Sequence, residues 1–162
     1  MAIYMKISGV SGSVTTKGYE GAIEVSELDF AGVKVPMQMM VGKAVNRALS
    51  EPHFGQVSII KNLDKSSNAF FEAAHNGQAF ASLEFDYVST GATPVQYSKI
   101  ILTNAMVSHY SEQNVGSATE MPKEVIRFCY TKISRTFVPR DSTGQAGSPL
   151  TTGYDIEQAT QS

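Results

Sequence analysis

Apolar and polar residues alternate along most of this chain. Ile3, Met5 and Ile7 stand against Tyr4, Lys6 and Ser8, the period-two pattern of a strand with one face in a core. A second strand is expected over Ala22 to Leu28, where Ile23 and Val25 oppose Glu24 and Ser26. Val57 to Leu63 predicts a third, and Phe80 to Val88 gives the cleanest alternation, with Leu83, Phe85 and Tyr87 against Glu84 and Asp86. Val95 to Ser111 pairs with it as a hairpin across the turn STGATP, and a break near Asn104 and Ala105 divides or bends that long run. Glu124 to Phe137 is expected as one long, central strand.

One stretch leaves the alternation. In KNLDKSSNAFFEAAHNGQ (61–78) the spacing of Phe70 with Ala73 and Ala74 gathers an apolar stripe at helical period. Ser66 and Ser67 are expected to cap its first turn, Asp64 complements the dipole, and Asn76–Gly77 stops it, so the helix is predicted over Ser67 to Asn76. A helix this short is marginal alone and must lie on something larger. The fold class is therefore mainly β: an antiparallel β-barrel or two-sheet sandwich with one short α-helix on its flank.

The connections differ in character. SGVSGSVTTKGYEG (8–21) is polar and glycine-rich, a surface loop. Asp29 to Gln56 is long yet apolar, and apart from a short strand over Val33 to Val41 it offers no regular element. Composition this apolar does not favour disorder, so Val35, Met37, Met39, Met40, Val41 and Leu49 are expected to bury against another molecule. A local core under the loop is the competing reading of the same methionines. Residues 1–139 form one domain on this reading, and 140–162, rich in Ser, Thr, Gly and Gln, are a polar tail that is flexible or ordered only by a partner.

Composition narrows the chemistry. A net charge of −2 and a pI near 5.9 oppose a nucleic-acid partner, and no apolar run is long enough to span a membrane as a helix. The start MAIYMKISGVSGS lacks the basic and apolar regions of a secretory signal. Cys129 is the single cysteine, which leaves no internal disulfide and no thiolate cluster, and as a strand residue it is expected in the core. His53, His75 and His109 show no metal-ligand spacing, and His75 suits the last turn of the helix. No nucleophile elbow or phosphate-binding glycine motif occurs, so neither an enzymatic role nor a cofactor is expected. An alternative of another class, a small ligand-binding or hydrolytic β-barrel, rests on Glu84, Asp86 and His109. The first two share a strand face, which reads more simply as a solvated surface or one lining a lumen.

Three segments carry more information together than singly. IYMKISGVSGSVTTKGYEGAIEV (3–25) joins a short strand, a glycine-rich loop and a Gly-x-Glu-Gly-x-Ile-Glu-Val turn; IIKNLDKSSNAFFEAAHNGQ (59–78) joins Lys, Asp and Ser to a helix closed by Gly; EVIRFCYTKISRTFVPR (124–140) has an apolar, Lys, Ile, aromatic pattern. In this order and spacing they resemble the haemolysin-coregulated protein (Hcp) family, the tube subunits of type VI secretion systems, over residues 2–138. The chain departs from the family at Arg135, where an aromatic is common, and in the tail after Arg140. The resemblance implies a β-barrel that forms a homo-hexamer and stacked rings, with the type VI spike (VgrG), sheath components and effector proteins as partners. It implies assembly in the cytoplasm and secretion without a signal peptide, no catalysis, and a ring-contact role for the loop from Gly32 to Phe54.

Overall fold

The computed structural model describes residues 1–37, 41–42, 51–89, 91, 94–114, 116 and 119–161. Its spine is the strand β8, Val95–Gln113, which follows β1 (Ala2–Ile7), β2 (Ile23–Val25), β3 (Glu27–Phe30), β4 (Val33–Lys34), β5 (His53–Phe54), β6 (Val57–Asn62), the helix α1 (Ser67–Asn76) and β7 (Ala79–Ser89). After it come β9 (Lys123–Cys129), β10 (Lys132–Phe137), β11 (Leu150–Asp155) and β12 (Thr160–Gln161). Every ladder is antiparallel, and all strands but the β4–β5 pair belong to one sheet. One path runs β12-β11-β10-β8-β7-β1-β2, while β9, β6 and β3 branch from the far limb of β8.

Asn104 makes that branching possible. Its φ is 51°, a left-handed conformation that asparagine tolerates better than most residues. The limb before it pairs with β10, from Ser98↔Phe137 to Thr103↔Lys132, and the limb after it pairs with β9, from Met106↔Cys129 to Gln113↔Lys123. The single strand expected over Glu124–Phe137 is consequently two strands, β9 and β10. Its interruption at Tyr130 and Thr131 follows the bend in β8, where the Thr131 amide donates to the Thr103 carbonyl at 3.1 Å. The strand expected over Ala22–Leu28 is likewise divided, at Ser26. β2 pairs with β1 (Ile3↔Val25), β3 pairs with β6 (Leu28↔Ile59), and the Ser26 amide donates to the Ile60 carbonyl at 2.8 Å. The chain thus steps from one edge of the curled sheet to the other, giving a barrel-like sandwich without a closed ring of ladders.

Inward residues of both layers meet in one core that includes Met5, Ile23, Ile59, Phe85, Leu102 and Ile126. The helix covers this core through a stripe narrower than its sequence implies: Ser67, Phe70 and Ala73 are buried, Ala74 is exposed, and Phe71 lies on the outer side against Tyr110. Phe70 meets Phe80 and Phe128 edge-on at centroid distances of 5.9 and 6.0 Å, a favoured aromatic geometry. Gly77 ends the helix in the left-handed conformation (φ 69°), its amide donating to Ala73. His75 Nδ1 donates to the Phe71 carbonyl at 2.9 Å in the last turn. The start differs from expectation, because no serine hydroxyl caps a first-turn amide. Instead Asp64 Oδ1 accepts from the Ser66 amide and hydroxyl, and Ser67 Oγ accepts from the Asp64 amide.

Of the short strand expected over Val33–Val41, Val33 and Lys34 form β4, which pairs with β5 as the stem of the long loop, and residues 38–40 lie outside the described residues. Residues 140–162, expected as a flexible or partner-ordered tail, carry β11 in full register on β10, from Lys132↔Asp155 to Phe137↔Leu150. Backbone pairing to an otherwise open strand edge needs no apolar side chains, so composition gave no hint of it.

Replacing Phe70 with alanine should lower unfolding free energy by about 3 to 5 kcal/mol, since the ring is fully buried. Urea unfolding measures this, and a loss below about 1 kcal/mol would show that the helix does not seal the core.

Candidate functional site

Val35, Met37 and Val41 follow β4 with their side chains in solvent, Met37 being 64% exposed. Met39, Met40 and Leu49, the other residues expected to form an interface, lie outside the described residues. The base of this loop is firmly held. Val33 and Lys34 pair with Phe54 and His53, and the Gly55 amide donates to the Gly32 carbonyl at 2.8 Å. Phe54 stacks on Tyr154 of β11 at 4.9 Å, and the Tyr130 hydroxyl donates to the Gly55 carbonyl at 2.9 Å. Burial pushes the Tyr130 phenol up to about 12, so it stays a donor at any ordinary pH. An apolar loop thus springs from an anchored stem, which suits contact with another chain.

Of the residues proposed for hydrolysis, Glu84 and Asp86 share one face of β7, where Lys99 Nζ reaches both at 2.8 and 3.9 Å, and His109 is not brought to them. Asp86, expected on a solvated surface, is 2% exposed, because the 9–22 loop folds over the outer face of β1 and β7. Val14 and Tyr19 of that loop pack on Tyr4, Ala22 and Val88, and Gly12 passes so close that a Cβ there would lie 2.3 Å from the Ala22 carbonyl oxygen. Asp86 meets Lys6 Nζ at 3.1 Å and accepts from the Gln96 amide, while Glu84 pairs with Lys99 at 2.8 Å. Burial raises the Asp86 pKa, Lys6 opposes the rise and Glu84 adds to it. His109 sits in the far limb of β8, exposed and hydrogen-bonded to Ser111 at 3.2 Å. Cys129, expected in the core, is exposed, because β9 turns Glu124, Ile126 and Phe128 inward and its odd positions outward. Among the described residues no group of three His, Cys, Asp or Glu side chains could hold a metal ion.

The main polar feature went unrecognised in the sequence: an ion pair in the core beneath the helix. Lys61 and Glu124 face each other across β6 and β9, both fully buried, with Lys61 Nζ 2.5 Å from Glu124 Oε2. The ammonium also donates to Asp64 Oδ1 (2.8 Å), the Asn62 carbonyl (3.0 Å) and Ser67 Oγ (3.2 Å). Glu124 Oε1 accepts from the Tyr110 hydroxyl at 2.7 Å. Burial and the two carboxylates within hydrogen-bond reach of its single proton, Glu112 and Glu124, push the Tyr110 phenol far above its usual range. Oε2 has no hydrogen bond of good geometry, so the contact with Lys61 is what balances it. Lys, Asp and Ser at 61, 64 and 67, and Glu124 in alternation with Ile126 and Phe128, were the available signal.

A lysine left without its carboxylate, or the reverse, is a buried unpaired charge. Lys61→Met should cost about 3 to 5 kcal/mol, and adding Glu124→Gln should return part of it. Urea unfolding of the single and double variants checks this, and strictly additive losses would contradict the coupling. Burial would raise the Asp64 pKa, but the Lys61 and Ser66 bonds outweigh it and hold the carboxyl below its ordinary 3.8. Its contribution is therefore complete above that value and is lost as pH falls through the lower folded one. Asp64→Asn should flatten the stability slope below about pH 4, and an unchanged slope would remove Asp64 from the account.

Residues 4–137 match the family model described as "Type VI secretion system effector, Hcp". The comparison with curated proteins gives no match. Among solved structures, a type six secretion system protein superposes with a TM-score of 0.92 at 23% identity, over 99% of this chain and 99% of that one. Hcp1 from Salmonella typhimurium superposes at 0.78 with 16% identity (99% and 98% covered), and a type VI secretion system effector from Yersinia pestis at 0.73 with 19% identity (95% and 99%). At these identities the structural likenesses establish the fold.

Proposed function

Because the chain belongs to the Hcp family of type VI secretion proteins, we propose that it is a tube subunit that closes into hexameric rings and that the rings stack. The observation that carries this reading is the solvent-facing Val35, Met37 and Val41 on a stem fixed by the Phe54–Tyr154 stack. Apolar side chains held out by a firm base gain from burial against a second copy, and flexible methionine fits an irregular contact. A ring of one chain type needs two different surfaces that meet head to tail and close. Spike (VgrG) and sheath components would meet the assembled tube, and effector proteins would occupy its lumen. Assembly in the cytoplasm precedes expulsion by the secretion machine itself, without a signal peptide. The role is structural, with no catalytic step.

Native mass measurement should find a species near six times the 17.5 kDa chain mass. A strict monomer up to millimolar concentration would sink the proposal. Met37→Asp should leave the ring and its unfolding midpoint intact while weakening ring stacking, seen as shorter tubes by electron microscopy. Stacking equal to wild type would remove Met37 from the contact.

A further inference from the structure

The sheet leaves a gap where β3 and the loop stem face β10 and β11, and that gap holds a cleft of about 530 Å³. Its size lies within the roughly 300 to 1,000 Å³ of ordinary small-molecule sites. Leu28, Phe30, Ile100 and Ile133 form an apolar interior, and the Phe54–Tyr154 stack bridges the stem and β11. Thr152, Gly153 and Tyr154 make one wall, so the C-terminal segment helps to build the cleft.

Arg135 is the charged residue on this lining. It stands at the junction with a second hollow of about 260 Å³, whose lining includes Met1, Tyr97 and Phe137. Tyr87 and Ile100 border both hollows. Among the described residues the Arg135 guanidinium has no ion pair or hydrogen bond, so its charge is free to take a ligand. Its charge reaches the cleft: burial raises the Tyr87 pKa, and Arg135 acts against that rise.

We propose that this cleft binds a small amphipathic anion of the aliphatic carboxylate class, with its carboxylate on Arg135 and its chain among Leu28, Phe30 and Ile133. Charge decides between the ligand classes an aromatic-walled cleft could take. Phe30, Phe54, Tyr87 and Tyr154 could surround a quaternary ammonium, but the guanidinium repels a cation at that position. A carboxylate matches the planar fork of arginine, which can hold both of its oxygens. The alkyl chain then removes apolar surface from water on both sides. This site lies within one chain and does not rest on the ring-forming reading, so either can fail alone.

The test is calorimetric titration of the purified protein, in whatever oligomer it forms, with decanoate and decyltrimethylammonium below their micelle concentrations and decanol below its solubility limit. Decanoate should bind saturably with one site per chain. Arg135→Gln, at an exposed position, should keep the wild-type unfolding midpoint and weaken decanoate roughly tenfold while leaving decanol unchanged. Thr152→Phe, also at an exposed position, should fill the cleft and abolish both decanoate and decanol binding. No saturable decanoate binding, equal decanoate affinity in Arg135→Gln, or decyltrimethylammonium binding as tightly as decanoate would each overturn the proposal.

Discussion

A lysine and a glutamate buried at 0% exposure set the geometry from which the rest of this fold follows. Removing two charges from water is costly, and the cost is offset only if each charge finds partners at short range. Lys61 and Glu124 can do so in one register of β6 on β9, the register in which they are directly opposed. Slipping β6 by one residue on β9 would turn Ile59 outward together with Lys61 and leave Glu124 buried without its partner. The same ammonium holds Asp64 and Ser67, so strand register and the start of the helix are fixed by one group. Tyr110 on β8 completes the carboxylate's shell and brings the spine strand into the same arrangement.

From that anchor the bend at Asn104 distributes the remaining elements. One limb of β8 shares the second layer with β9, β6 and β3 under the helix, and the other carries β10 and β11 outward. The two layers part between β3 and β10. The loop stem stands beside that opening, tied to β11 by Phe54 and Tyr154 and to the β9–β10 corner by Tyr130. A surface suited to contact with another chain and a cleft suited to a small anion therefore share one border, and Val33 and Phe54 belong to both the stem and the cleft lining.

The elements with strict alternation or helical spacing were legible in the sequence: β1, β6, β7, β8 with its break near Asn104, and the helix from Ser67 to Asn76. The breaks at Ser26 and at Tyr130–Thr131 were not. Ser26 and the Tyr130–Thr131 corner interrupt strands because distant neighbours bend there, and local pattern does not record the neighbour. Polar residues misled in both directions. Asp86 looked solvated and is buried with partners, whereas Cys129 looked buried and is exposed, and nothing in the local pattern paired Lys61 with Glu124. β11 was invisible because its place depends on backbone pairing with β10 rather than on apolar side chains. Val35, Met37 and Val41 were singled out for apolar character in a loop, and their exposure is what a contact surface requires before its partner arrives.

The proposed tube subunit would have to keep its shape while apolar surfaces engage other copies, and the ion pair under the helix is the contact that would hold helix and sheet together. Native-state hydrogen exchange of backbone amides tests it most directly. If Lys61 and Glu124 join the helix to the sheet, amides of Ala73, Ile59 and Ile126 should exchange with the same opening free energy, equal to that of global unfolding. Exchange at Ala73 through an opening several kcal/mol cheaper than that of Ile59 and Ile126 would show that the helix detaches on its own, and would contradict the claim that the buried pair unites them.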